Sequence, residues 1–221
     1  MKKVAIIVAG GMGQRMGTNM PKQFLQLNEK PVLWYTLNAF LEAFSDISIK
    51  LVIPADFLES GQELASKYFI GKDIELVEGG STRFQSVKNG LAKVSGNAVI
   101  FVHDGVRCLV SPSLITRCYE AAVKNGNAIP VISSKDSIRL ATEAGSEAFD
   151  RNKVLLVQTP QTFLSEQLLG AYQVNYQENF TDDAAVVESA GHAIHLVEGE
   201  ERNIKITHPI DLVIAGQLLR Q

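Results

Sequence analysis

The six residues Val4-Ala5-Ile6-Ile7-Val8-Ala9 are apolar without a break and run straight into Gly10-Gly11-Met12-Gly13-Gln14-Arg15-Met16-Gly17. So short a run, rich in β-branched residues and apolar at every position, predicts a strand buried on both faces. The glycines that follow permit positive φ and close backbone approach, so the strand ends in a loop able to wrap a ligand. Apolar runs recur at residues 51–53, 98–102 and 128–132, and a short strand is read at 74–77. Between them lie segments of helical period at 31–44, 57–69, 84–94 and 112–124. Pro31 is read as the first residue of its helix, and Ser111-Pro112 as N-cap and N1 of another. Buried strands separated by helices predict a mostly parallel α/β sheet in one domain, residues 1–221.

Residues 133–157 break the rhythm. They carry Lys135, Asp136, Arg139, Glu143, Glu147, Asp150, Arg151 and Lys153, with β-like stretches at 137–140 and 154–157. The segment is expected to leave the sheet as a two-stranded arm. Helices are then expected near 165–175 and 183–190, strands at 195–197 and 204–206, and a last helix from Pro209.

Composition narrows the function. With 46% hydrophobic residues, 20% charged residues and a net charge of −3, the chain is an ordinary globular one. The absence of a long basic run argues against nucleic acid as the partner. No apolar stretch approaches a membrane span, and the run after Lys2-Lys3 is too short for a leader. Cys108 and Cys118 form neither a CxxC pair nor a zinc set with the histidines, and Asn179-Phe180-Thr181 is read as a chance glycosylation match. A reduced, cytoplasmic protein is expected.

The first loop is not a dinucleotide fingerprint, because Met16 stands where the third glycine belongs. Nor is it a Walker loop, since no Gly-Lys-Ser/Thr closes it. Its cations are Arg15 and Lys22, which tip the reading toward a triphosphate. Asp104 falls just after the apolar run 98–102, where open α/β sheets bind ligands, and its hard carboxylate suits Mg2+. Lys205, between Ile204 and Ile206, points away from two apolar neighbours.

Seven stretches in order carry a resemblance. Gly10-Gly11-Met12-Gly13-Gln14-Arg15-Met16 with Pro21-Lys22-Gln23-Phe24-Leu25 resembles the signature loop of sugar-phosphate nucleotidyltransferases. Gly79-Gly80-Ser81-Thr82-Arg83-Phe84-Gln85-Ser86-Val87 and Val102-His103-Asp104-Gly105-Val106-Arg107 resemble further motifs of the 2-C-methyl-D-erythritol 4-phosphate cytidylyltransferases. Asp150-Arg151, Thr159-Pro160-Gln161, Thr181-Asp182-Asp183-Ala184 and Asn203-Ile204-Lys205-Ile206-Thr207 fall in matching order. Gly10 stands where many members carry alanine, and Cys108 where proline is usual.

The resemblance implies a Rossmann-like nucleotidyltransferase sheet with a protruding β-arm, and transfer of CMP from CTP to a polyol phosphate with release of pyrophosphate. It implies Arg15, Lys22 and Lys205 as the catalytic cations and Asp104 as the Mg2+ ligand. Ala9, Gly10, Gly11, Gly13, Gly80, Arg83, Ser86, Asp104 and Gly105 would hold CTP, with Ala9, Gly10, Gly80 and Ser86 reading the cytosine. Arg107, Ser137, Arg151, Thr159 and Thr181 would hold the acceptor. The arm 133–157 would embrace that of a second copy in a homodimer. No general base is evident, and His103 is read as a structural hydrogen-bonding residue. D-ribitol 5-phosphate is the competing acceptor. A non-catalytic nucleotide-binding module is the competing class, although such a module would be expected to have lost Lys22, Asp104 or Lys205. A dehydrogenase is disfavoured by the missing glycine.

Overall fold

The computed structural model describes residues 1–11 and 20–220. Strand β1 (Lys2–Val8) is followed by a short ribbon, β2 (Gln26–Leu27) with β3 (Lys30–Pro31), then helix α1 (Val32–Ala43) and strand β4 (Ser48–Ile53). Next come α2 (Leu58–Tyr68), β5 (Ile74–Glu78), α3 (Arg83–Leu91), β6 (Ala98–Asp104), α4 (Pro112–Asn125) and β7 (Asn127–Ser133). A hairpin of β8 (Ile138–Thr142) and β9 (Gly145–Phe149) leaves the sheet, to which β10 (Leu155–Val157) and β11 (Gln161–Leu164) return. Then follow α5 (Ser165–Ala171), α6 (Asp183–Ser189), β12 (Leu196–Glu198) and α7 (Pro209–Leu218).

The main sheet has the order β10-β7-β11-β6-β1-β4-β5, with β12 paired to β7. Its core is parallel: β1 pairs β6 on one side and β4 on the other, and β4 pairs β5. The apolar runs are continuous because both faces are covered. In β1, Ile7 packs with Leu37 and Phe40 of α1, whereas its neighbour Ile6 packs with Val87 and Leu91 of α3. In β6, Val99 and Phe101 face the first layer and Ile100 and Val102 the second. Fully burying each of these side chains contributes about 1.5–3 kcal/mol relative to exposure.

The topology fixes where a ligand can bind. From β1 the chain winds outward through β4 and β5, then crosses back to β6 on the other side of β1. Such a reversal opens a crevice at the carboxyl ends of the two central strands. Here those ends are Val8 and Asp104, which are register partners.

Several expectations are corrected. Pro31 is the N-cap of α1, not its first helical residue, because it still pairs with Gln26 in the ribbon. Asp104 is the last residue of β6, not the residue beyond it. The arm is built from β8 and β9, joined by a turn at residues 143–144 after which Gly145 opens β9 with φ +137. Residues 155–157 pair back onto β7 (Leu155 with Ser133, Val157 with Val131), where their backbone groups complete the main ladder. β11 was not expected as a strand; it lies antiparallel between β6 and β7. The segment 204–206 is not a regular strand, although Ile206 N–H donates to the Val106 carbonyl at 3.0 Å. Among the described residues no helix is long and apolar enough to cross a membrane.

Candidate active site

Two cavities open at the crevice, of about 330 and 260 Å³, and they meet at Arg83, Asp104 and Lys205. The first is lined by Ala9, Gly10 and Gly11 after β1, by Lys22, and by Gly80 and Ser86 at the start of α3. The second is lined by Arg107, Gln158, Thr159, Gln161 and Thr181. Asp104 is 8% exposed at the junction.

Asp104 is ringed by cations. Lys205 Nζ lies 2.8 Å from its Oδ2, Arg107 Nε 3.7 Å from the same oxygen, and Arg83 Nε 3.5 Å from Oδ1. Burial pushes its carboxyl up, but Arg83, Lys205 and Arg107 outweigh burial and hold it well below the usual carboxylate range. Arg83 is fixed in turn by Asp183, whose Oδ2 accepts from Nη2 at 2.6 Å while its Oδ1 accepts from Tyr172 OH at 2.7 Å.

Lys22, expected as a catalytic cation of the first loop, lines the first cavity but is buried rather than solvated. It opens a 3-10 turn, is 8% exposed, and donates to the Ile206 carbonyl at 2.9 Å. That bond links the first loop to the Lys205 segment, 184 positions away.

The expected base-reading groups differ in availability. Ala9 N–H continues the sheet by donating to Val52, and its carbonyl accepts from Gln23 Nε2 at 2.6 Å. Ser86 hydroxyl donates to the Thr82 carbonyl at 2.9 Å and accepts from Gly80 N–H at 3.0 Å, which pins the Gly80 turn. A Cβ on Gly80 would meet Gln85 Cγ at 2.1 Å, so the turn requires glycine. One on Gly10 would lie 3.9 Å from Ser86 Oγ, ordinary contact, which fits the alanine common at this position in the family it resembles. Gly105 lines neither cavity. Its N–H donates to Val8, its carbonyl accepts from Thr36, and a Cβ there would come 2.9 Å from Ala9 Cβ. It lets β6 pass close beneath the loop.

Beneath the second cavity lies a buried polar chain. Asp104 N–H donates to Thr159 Oγ1 at 3.1 Å, and Thr159 hydroxyl pairs with His103 Nδ1 at 2.9 Å. His103 Nε2 lies 3.3 Å from the Arg107 carbonyl, which can only accept, so Nε2 carries the proton and Nδ1 accepts. Burial pushes the His103 imidazole down to about 3, against the charge of Asp104. The unfolded chain therefore binds this proton near pH 6.5 and the folded one does not, so His103 lowers stability as pH falls from about 6.5 toward 3, by about 1.4 kcal/mol per unit. We expect His103→Phe, whose ring would stack edge-on against Phe40 as the imidazole does, to remove that slope from urea-midpoint measurements between pH 6 and 4. An unchanged slope would mean that the imidazole is protonated in the fold.

The other expected residues fall in three groups. Arg107 and Thr159 line the second cavity, but each is engaged; Arg107 donates to the Asn203 carbonyl at 2.8 Å. Thr181 is exposed on the rim of that cavity. Ser137 and Arg151 sit on the arm and line neither cavity; Arg151 donates to the Lys135 carbonyl of its own arm at 2.9 Å. Gly13 and Arg15 lie outside the described residues. Sequence reading missed Gln161, whose Oε1 accepts from Ala184 N–H and whose Nε2 donates to Asp182. Its placement beside Thr159-Pro160 was the available signal.

A crevice at the switch point of a parallel sheet, with cations around a single carboxylate between two cavities, defines a nucleotide-handling α/β transferase. The family model described as 2-C-methyl-D-erythritol 4-phosphate cytidylyltransferase (IspD) matches residues 3–221. The chain belongs to that family. It is 48% identical over 221 residues to the Bacteroides fragilis protein of that name, covering 99% of this chain and 100% of the relative. It is 46% identical over 219 residues to that of Bacteroides thetaiotaomicron, covering 99% and 100%. The crystal structure of the Thermus thermophilus enzyme superposes with a TM-score of 0.79 at 32% identity over the full length of both chains. That of an Anaerococcus prevotii 4-diphosphocytidyl-2C-methyl-D-erythritol synthase superposes with a TM-score of 0.84 at 28% identity.

Proposed function

We propose that the chain transfers CMP from CTP to 2-C-methyl-D-erythritol 4-phosphate, releasing pyrophosphate and 4-diphosphocytidyl-2-C-methyl-D-erythritol for non-mevalonate isoprenoid precursor synthesis. The observation that carries this is the pair of cavities meeting at Asp104, Lys205 and Arg83, one volume for each substrate with the reacting phosphates between them. The first cavity takes CTP. Gly10 offers backbone groups to the base, Gly80 its carbonyl, Ala9 the second lone pair of a carbonyl that already accepts from Gln23, and Ser86 acts one step back by holding the Gly80 N–H. Lys22, Lys205 and Arg15 neutralise the triphosphate and the charge that builds on the α-phosphate during in-line attack. The second cavity takes the acceptor against Arg107, Thr159 and Thr181, and a phosphate monoester attacks through its own oxyanion, without a general base.

Mg2+ fits the donor set only as an ion that takes most of its ligands from phosphate and water. Among the described residues no group of three or more His, Cys, Asp or Glu could cage a metal. Asp104, a hard carboxylate kept ionised, would be the protein ligand, and the ion would supply charge neutralisation across the phosphates.

The arm is read as a dimerisation element. A lone hairpin is marginal in water, and Leu140, Phe149, Leu155, Leu156 and Val157 are 39–47% exposed along the arm and its root. A closed two-fold pairing would cover both arms and carry Ser137 and Arg151 to the partner's second cavity. The cytoplasm is the proposed compartment, in keeping with two buried, unpaired cysteines.

Pyrophosphate release tests the whole reading. With Mg2+ and CTP, turnover is expected with 2-C-methyl-D-erythritol 4-phosphate and not with D-ribitol 5-phosphate; the reverse would reassign the acceptor. Replacing CTP by UTP should lower kcat/KM by about 10²-fold or more, because a site that hydrogen-bonds one base edge leaves buried groups unpaired with the other. Equal turnover of the two nucleotides would remove Ala9, Gly10, Gly80 and Ser86 from base recognition.

A further inference from the structure

Lys205 reaches Asp104 from residues 203–207, a segment with no helix and no regular strand ladder. Displacement of a reacting group by about 1 Å can cost 10²-fold in rate, so something else must fix this backbone. After Lys205 the anchors are at Ile206, whose N–H donates to Val106 and whose carbonyl accepts from Lys22. Before it the anchor is Asn203, which is fully buried. Its Nδ2 donates to the Thr159 carbonyl at 2.8 Å, its backbone carbonyl accepts from Arg107 Nη1 at 2.8 Å, and its N–H donates to Glu200 at 3.0 Å. Thr159 is the residue whose hydroxyl receives the Asp104 N–H. Asn203 thus ties the start of the Lys205 segment to the residue that already holds the carboxylate Lys205 faces. Its Oδ1 has no partner among the described residues, so the side chain serves through its donor end.

We propose that Asn203 is a positioning residue that acts through Lys205, setting where the ammonium stands by hydrogen-bonding the Thr159 carbonyl. The inference rests on the role given to Lys205 above. A donor is required here: aspartate would set an acceptor against a carbonyl, and an apolar side chain would leave that carbonyl unpaired.

A double-mutant cycle with a melting temperature for each variant separates positioning from bulk stability. Asn203→Ala alone is expected to lower kcat about tenfold while KM for CTP moves less than about threefold. In a Lys205→Ala background the same change should cost no more than about twofold in kcat, because the group it positions is gone. Asn203→Leu, which keeps more of the volume, should behave alike. The same factor in both backgrounds, or a normal kcat in a folded Asn203 variant, would overturn the proposal, as would failure of both variants to fold. Near-normal kcat in Lys205→Ala by itself would instead strike at the site assignment on which the proposal stands.

Discussion

Lys205→Ala is expected to lower kcat by roughly 10²–10³, the range for removing one preorganised donor from a developing charge. The ammonium stands 2.8 Å from Asp104 at the junction of the two cavities, where transferring and leaving phosphates would both come within its reach. Its side chain is 42% exposed, so the fold should tolerate the loss and the melting temperature should barely move. Lys22→Ala should fall by a similar factor but with a cost in stability, because Lys22 is buried and holds the Ile206 carbonyl. Steady-state kinetics with CTP saturating decides the matter. A Lys205→Ala enzyme within about threefold of normal kcat would return this lysine to the role of a surface ion-pair partner.

Mixing two dead variants should restore activity. Under the two-fold arrangement proposed above, Lys22 serves its own site and Arg151 serves the neighbour's. Lys22→Ala and Arg151→Ala are each expected to be nearly inactive alone. Random reassociation makes about half of the dimers mixed, and each mixed dimer has one site free of both lesions, so activity should return to about a quarter of wild type. Should Arg151 serve its own chain, every site keeps one lesion and the mixture stays dead. The geometry makes the outcome informative, since Arg151 lines neither cavity of its own chain and its bonded partner is the Lys135 carbonyl at the root of the arm. A protomer that is active as a strict monomer would sink the shared-site reading.

Burial on both faces of the parallel core favours unbroken apolar runs, although Lys50 in β4 and Glu75 in β5 interrupt theirs and pair with each other. β1 and β6 announce themselves in this way, and with them the crevice. β11 did not, because Gln161-Thr162-Phe163-Leu164 offers a single alternation and two polar residues that are nevertheless wholly buried. Gln161 is satisfied by capping α6, a partner 21–23 positions away that no local pattern predicts. The same limit hid the burial of Lys22, though not its candidacy, and the bonds of Asn203: no local pattern shows that the chain closes over them. Asp104 and Lys205 were legible as candidates from position, yet their pairing across 101 residues is a product of the fold. The arm was visible as a break in rhythm, but its strand partners were not, since Gly145-Ser146-Glu147-Ala148-Phe149 has little intrinsic β character.

The arm leaves the sheet at Ser133 and rejoins it at Leu155, and these two residues are opposite one another on the same rung. Everything between them is therefore a closed side-branch whose length and contents leave the register of every main strand untouched. The ends stay together whatever the branch contains, so doubling its length would cost only about 0.6 kcal/mol in closure entropy. A lineage could rebuild the branch, and with it whatever surface the two-fold arrangement proposed above would present to a partner's acceptor, while the nucleotide crevice is inherited unchanged. Under that arrangement, innovation in the second substrate would be uncoupled from conservation of the first.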